Sequence, residues 1–201
     1  MKLIITRHAQ TSWNKENPTR FQGIKDTDLS KEGKEQARKL ALRLKDHKIK
    51  LIFTSPLKRT LETAKEIKKF HPKAEIIVDN DLKELDFGIL EGLTDQGIQE
   101  KYKEIWEARE KDKFNYKIPK GESYAETEVR ALRILNKIIK TKKDSVIVAH
   151  ATINKLFFKK LLKKPLEDIS RNFFNNTSVS VFNIKDNDVF VEEFNCDKHL
   201  R

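Results

Sequence analysis

An α/β three-layer sandwich, a mostly parallel central sheet with helices on both faces, is the fold class this sequence predicts. Two observations carry it. Short apolar runs that end in polar loops alternate with longer stretches whose apolar residues recur at helical spacing, the βαβα order of a parallel sheet covered by helices. At 201 residues the chain also has the length for one substantial core and too little for two. We therefore expect a single domain over residues 1–201.

Leu3-Ile4-Ile5-Thr6 reads as the first strand, followed by a polar loop rich in Asn, Thr, Gly and Asp. Ser30 is placed to cap a helix from about residue 31 to 47, with Ala37, Leu40, Ala41 and Leu44 on one face. Leu51-Ile52-Phe53 forms the second strand. Pro56 stands near the start of the next helix, which carries Arg59, Leu61, Ala64 and Ile67 toward Phe70. Ile76-Ile77-Val78 gives a third strand. A charge-dense helix from Thr94 to about Lys113 follows, its Ile98, Tyr102, Ile105 and Trp106 spaced to rest over one edge of the domain. A helix from about Tyr124 to Lys140 directs Val129, Leu132, Leu135, Ile138 and Ile139 inward. Val146 to Ala149 is a buried strand, and a helix over about 153–163 comes next. Two late strands, 178–184 and 189–194, join through a turn at Asn187 and its Asp neighbours.

Composition narrows the function classes. No stretch approaches the 18 or more apolar residues of a membrane span, and only Leu3-Ile4-Ile5 stands before Thr6 and Arg7, too short for a secretory segment. A cytoplasmic protein without a membrane partner is expected. A lone cysteine, Cys196, permits no intramolecular disulfide. The net charge of +11, from 42 basic and 31 acidic residues, would steer anionic partners toward the chain. Phosphorylated small molecules fit that field. Nucleic acid fits less well, because there are only ten arginines and the lysines lie along helix faces instead of in one tract alternating with aromatics. A solvated lysine-rich surface is the plainer account of the charge.

The chemistry begins where the first strand ends. Arg7 and His8 stand side by side there, and ligands of open α/β sheets bind at the carboxyl ends of strands. An imidazole beside a guanidinium joins a nucleophile to a bidentate oxyanion clamp. Three further segments supply what such chemistry would lack. They are Thr54-Ser55-Pro56-Leu57-Lys58-Arg59, then Leu82-Lys83-Glu84-Leu85-Asp86-Phe87-Gly88 leading to Glu91-Gly92, then Val146-Ile147-Val148-Ala149-His150-Ala151.

Taken together, the four ordered motifs resemble the histidine phosphatase superfamily, also called the phosphoglycerate mutase-like family, from about Lys2 to Ala151 and more loosely to Val181. The resemblance implies that His8 is transiently phosphorylated. It implies that Arg7 and Arg59 clamp the equatorial oxygens, where a guanidinium fork suits phosphate better than an ammonium. His150 would be a second imidazole donating to the same oxygens, and Glu84 the general acid that later takes a proton from the attacking water. Asn14 matches a phosphate-binding asparagine, and Phe21-Gln22-Gly23 an aromatic-polar-glycine loop that places Gln22 and Gly23 near the substrate. Glu91 is expected to be structural, orienting the loop that holds Glu84. Residues of about 94–120 would form a helical cover above the site.

Two departures stand out. The residue after each histidine is usually glycine in the family and is here Ala9 and Ala151. Each methyl could narrow the site, shift a backbone donor, or be tolerated. The interval between Glu84 and His150 lacks the longer insertion, with paired arginines and prolines, of the mutases. Gly121-Glu122-Ser123 followed by Arg130 instead resembles compact phosphatases that act on small phosphate monoesters. A phosphatase is thus the favoured reading, with a cofactor-dependent phosphoglycerate mutase or a noncatalytic anion- or nucleic-acid-binding relative as alternatives, and a monomer or homodimer as the assembly. No cofactor and no metal are expected: two imidazoles and a carboxylate, even with His199 or Cys196, match no common zinc spacing, and flanking arginines would repel a cation. Lys101, Lys103, Arg109, Lys111 and Lys113 on the cover could meet a second anionic group, although solubilising the helix is the simpler role for them.

Overall fold

The structure, a computed structural model, describes residues 1–170, 174–186 and 188–201. Asn187, expected in the turn between the last strands, lies outside the described residues. Six strands form one sheet: β1 (Lys2–Arg7), β2 (Leu51–Thr54), β3 (Glu75–Val78), β4 (Ser145–Ala149), β5 (Val179–Lys185) and β6 (Asp188–Cys196), in the order β3-β2-β4-β1-β5-β6. The first four strands are mutually parallel, while β5 runs antiparallel to β1 and β6 antiparallel to β5. The mostly parallel α/β sandwich is therefore the observed fold.

Helices α1 (Ser12–Lys15), α2 (Lys31–Leu44), α3 (Lys58–Phe70), α4 (Asp95–Lys111), α5 (Tyr124–Lys140), α6 (Ala151–Leu162) and α7 (Leu166–Ser170) connect the strands. Side chains of a strand alternate between its two faces, and the central strands are apolar on both. Ile4, Ile52, Val146 and Val148 pack with Leu40, Ala41 and Leu44 of α2 and Ala64 and Ile67 of α3. Leu3, Ile5, Phe53 and Ile147 face the other way, against Ala131, Ile134 and Leu135 of α5 and Leu156 and Phe157 of α6. Phe53, Phe157 and Phe182 are wholly buried, each worth about 1.5–3 kcal/mol for leaving water.

Ser30 accepts from the Gly33 amide at 2.9 Å, capping α2 as its sequence predicts. Pro56 falls just outside α3, whose N-cap is Leu57. One residue expected inside is not: Val129 on α5 is 69% exposed. The inward stripe runs through Tyr124, Thr127, Ala131, Ile134, Leu135 and Ile138 instead. Those positions keep the three- and four-residue spacing of a single helical face, and Val129 lies off it. The helix after Thr94 ends at Lys111 and departs from helical geometry at Tyr102, with φ −140° and ψ 37°.

Candidate active site

The strand order creates the crevice that holds the site. From β1 the chain crosses through α2 to β2 on one side, whereas from β4 it crosses through α6 to β5 on the other. Connections that leave adjacent parallel strands in opposite directions open a cleft at their carboxyl ends. Arg7 is paired with Ala149 in the β1–β4 register, so His8 and His150 emerge next to each other. Their ring centroids are 5.3 Å apart, and the His8 amide donates to the Ala149 carbonyl at 3.0 Å.

His8 is 3% exposed. Its Nδ1 lies 2.8 Å from the Ala9 carbonyl oxygen. A carbonyl can only accept, so this contact fixes the proton on Nδ1 and leaves Nε2 with its lone pair. Burial, then the charges of Arg59 and Arg7, hold the imidazole well below its ordinary 6.5, hence neutral near pH 7. His150 is fully buried, caps α6, and places Nε2 2.9 Å from the Ser55 hydroxyl. Burial and the nearby cations keep it neutral as well.

Arg59, at 1% exposure, is tied by Nη2 to the Gly23 carbonyl at 2.6 Å and by Nη1 to the Lys25 carbonyl at 2.9 Å. Burial lowers its pKa to about 10, which still leaves it charged near neutrality. Arg7 donates from Nη1 to the Phe174 carbonyl at 2.8 Å. Gly23 carries φ +54°, and a Cβ there would fall 1.9 Å from Glu91 Oε1, so glycine is required. Glu91 in turn accepts from the amides of Ile24 at 2.7 Å, Lys25 at 3.1 Å and Phe87 at 3.2 Å. It thereby orients the loop that anchors Arg59. Burial raises its pKa.

Glu84 is 8% exposed. Its Oε1 accepts from the Leu85 amide at 2.9 Å, and its Oε2 from the Thr152 amide at 3.1 Å in the first turn of α6. Asn14 forms a capping box with Thr11 at the start of α1, and its Oδ1 accepts from Asn176 at 3.3 Å. The Gln22 side chain is engaged at both ends, Nε2 on Thr27 and Oε1 on the Thr11 hydroxyl, so it braces the loop it lines.

A cleft of about 330 Å³ brings Arg7, His8, Asn14, Gln22, Gly23, Arg59 and Glu84 together; His150 is not part of its wall, its ring centroid lying 5.3 Å from that of His8. Among the described residues, Arg7 Nε, Arg59 Nε and His150 Nδ1 are buried side-chain nitrogens without a hydrogen-bond partner. Unpaired buried polar groups are costly, and Arg7 and Arg59, which carry two of these nitrogens, line the cleft with His8. The two alanines are accommodated. Neither has a positive φ. The Ala9 amide donates to Thr63 Oγ1 at 3.0 Å and its methyl packs with Leu29 and Ala37, away from the cleft, while Ala151 lines the wall as the first residue of α6.

Further residues join the site that the sequence did not single out by role. Ser55 stood inside a recognised motif, and its hydroxyl is what meets His150. Asn176 donates to the His8 carbonyl at 2.9 Å from a loop that carries no motif. Tyr124, Thr152 and Lys155 line the wall. Of the five basic residues on the expected cover, Arg109 and Lys113 line the cleft, while Lys101, Lys103 and Lys111 are exposed and absent from its wall. Arg109 is 3% exposed, its guanidinium 4.8 Å from the Trp106 ring centroid and 5.9 Å from that of Phe87.

Comparison with known proteins agrees with this geometry. The chain is 31% identical to phosphoserine phosphatase 1 of Hydrogenobacter thermophilus, covering 100% of this chain and 94% of that one. Among solved structures, Bacillus stearothermophilus YhfR superposes with a TM-score of 0.89 at 26% identity, over 100% and 99% of the two chains. An Entamoeba histolytica phosphoserine phosphatase in complex with 3-phosphoglyceric acid gives 0.82 at 27% identity, over 100% and 99%. The description of the histidine phosphatase superfamily (branch 1) matches residues 3–197, and with nearly the whole length matched the chain belongs to that superfamily.

Proposed function

We propose that this chain hydrolyses small phosphate monoesters without a metal ion, through a phosphohistidine on His8. The observation that carries the reading is the set of three unpartnered buried nitrogens, from two arginines and a histidine, around a neutral imidazole whose tautomer leaves Nε2 nucleophilic. In the first step Nε2 attacks phosphorus as the ester P–O bond breaks, and Glu84 delivers the proton to the departing oxygen. Arg7, Arg59 and His150 take up charge on the three equatorial oxygens, with Asn14 beside them. In the second step water attacks the phosphohistidine, its proton passes to the Glu84 carboxylate, and inorganic phosphate leaves with His8 again neutral. Residues 1–201 act as one domain in this reading, with about 94–120 covering the cleft.

The substrate carries a second anionic group. Arg109 is held over Trp106 and Phe87 at the wall, with Lys113 and Lys155 beside the same cleft. Burial lowers the pKa of both lysines and Arg109 lowers that of Lys113 further, while Glu110, paired with Arg109 at 2.8 Å, and Glu84 offset these shifts in part; an oxyanion would add to that compensation. The named ligands of two relatives, phosphoserine and 3-phosphoglyceric acid, each carry a carboxylate besides the phosphate. The short interval between Glu84 and His150, without the paired arginines and prolines of the mutases, favours hydrolysis over phosphoryl transfer between sugar acids.

The test is phosphate release in a chelator from p-nitrophenyl phosphate, phosphoserine and 3-phosphoglycerate. His8→Ala should lower release by more than about a thousandfold, and Arg109→Met should reduce the preference for the doubly anionic esters about tenfold, or about 1.4 kcal/mol. Release that returns only with added metal, or turnover of phosphoglycerate that depends on a bisphosphate primer, would overturn the assignment.

A further inference from the structure

Glu84 has no strand or helix of its own to hold it. It follows the single 3₁₀ turn Asn80–Leu82 and precedes another at Gly88–Leu90, yet a general acid must sit within hydrogen-bond reach of one departing oxygen. What fixes that backbone is Arg130 on α5. Its Nη1 donates to the carbonyls of Asp81 at 3.0 Å and Lys83 at 2.6 Å, and its Nη2 to the carbonyl of Glu84 itself at 2.9 Å. The remaining donors, Nε and the second Nη2 proton, meet Glu122 Oε1 at 3.0 Å and Oε2 at 2.7 Å. All five N–H groups of the guanidinium are thus used.

Glu122 is bound from the other side. It accepts from the Asp86 amide at 3.2 Å and the Thr127 hydroxyl at 3.1 Å, and the Arg130 pair holds its carboxyl below the ordinary range. The Arg130–Glu122 pair, with side chains 12% and 27% exposed, therefore grips the chain on both sides of Glu84, at residues 81 to 84 and at residue 86. We propose that Arg130 is a positioning residue for the general acid: it touches no substrate, and it sets the register in which Glu84 meets the leaving oxygen. This rests on the assignment of Glu84 in the proposed function. A lysine cannot replace the fork, since an ammonium is a point charge with three donors and no planar geometry.

Positioning of an acid is separable from general support of the fold by the leaving group. An alkyl phosphate needs a proton on its departing oxygen, whereas p-nitrophenolate departs as a stable anion. The experiment measures kcat/KM for p-nitrophenyl phosphate and an alkyl phosphate in the intact chain, Arg130→Lys, Glu122→Gln and Glu84→Gln, each checked for a native unfolding transition. General acid catalysis supplies about 10²–10⁴-fold, so Arg130→Lys should lower the alkyl-to-aryl ratio by at least about tenfold, in the direction of Glu84→Gln. Glu122→Gln, which keeps the shape of the pair and removes its charge, should shift the ratio the same way by less, and it decides the matter if Arg130→Lys does not fold. Equal losses on both esters in the Arg130 and Glu122 variants, with Glu84→Gln remaining selective, would overturn the positioning role alone. A Glu84→Gln variant without selectivity would overturn the acid assignment and the proposal with it.

Discussion

Lowering the pH should destabilise this protein well before its carboxylates titrate, the two site imidazoles contributing most, with His47, His71 and His199 shifted in the same direction by burial. His8 and His150 are 3% and 0% exposed and both are held well below 6.5 in the folded state. In the unfolded chain each titrates near 6.5. Below that pH the unfolded state therefore binds more protons than the folded state, and unfolding becomes easier as pH falls. Between the unfolded and folded pKa values the slope approaches about 1.4 kcal/mol per pH unit for each group. Integrated from pH 7 to pH 5, one histidine that stays neutral when folded removes about 1.9 kcal/mol, and the pair about 4 kcal/mol. That is a large share of the 5–15 kcal/mol typical of a domain. The raised pKa of Glu91 acts in the opposite sense around and above 4.5, and the lowered pKa of Glu122 acts only below it, so neither mimics the trend above pH 5. Urea unfolding at pH 7, 6 and 5, followed by tryptophan fluorescence, gives the slope directly. His8→Gln should recover about 1.9 kcal/mol of the loss at pH 5 relative to pH 7. A variant whose stability follows pH just as steeply as the intact chain would refute the reasoning.

Two other predictions concern the anion clamp. Arg59→Lys keeps the charge but cannot hold the Gly23 and Lys25 carbonyls while presenting a fork; kcat/KM should drop by about a hundredfold or more in steady-state assays. Gly23→Ala places a methyl against Glu91, which three backbone amides hold in place, at a φ of +54°; it should cost about 1–3 kcal/mol in urea unfolding and raise KM by loosening Arg59.

Much of this molecule can be read from its residues, and the reasons are local. Leu51-Ile52-Phe53 and Val146 to Ala149 are apolar on both faces, so a covered parallel strand is the natural home for each. The bounds of α5 follow from Ser123, which caps it together with Glu126. Val129 misleads because hydrophobicity alone does not say which of two close helical stripes faces the core. The four-residue α1 is too short to leave a period, and the departure at Tyr102 has no proline or glycine to mark it. In the site, His8, Arg59, Glu84 and His150 sit in motifs, and the structure gathers them at the carboxyl ends of the central strands. Asn176 could not be found that way, and Arg130, although it stands in a recognisable pattern after Gly121-Glu122-Ser123, could not be assigned its role. Their partners are backbone carbonyls and a distant carboxylate, and side chains that reach remote main chain leave no spacing rule behind.

The β1–β4 pairing has a consequence for how the pocket comes into being. The two imidazoles stand shoulder to shoulder in space, yet one belongs to the first strand synthesised and the other follows the fourth. A chain still being made, or one cut before β4, has half of the histidine pair and no wall from α6 for Glu84. Contacts so far apart in sequence are closed late and slowly in folding. The paired histidines are thus brought together only once β1 has met β4.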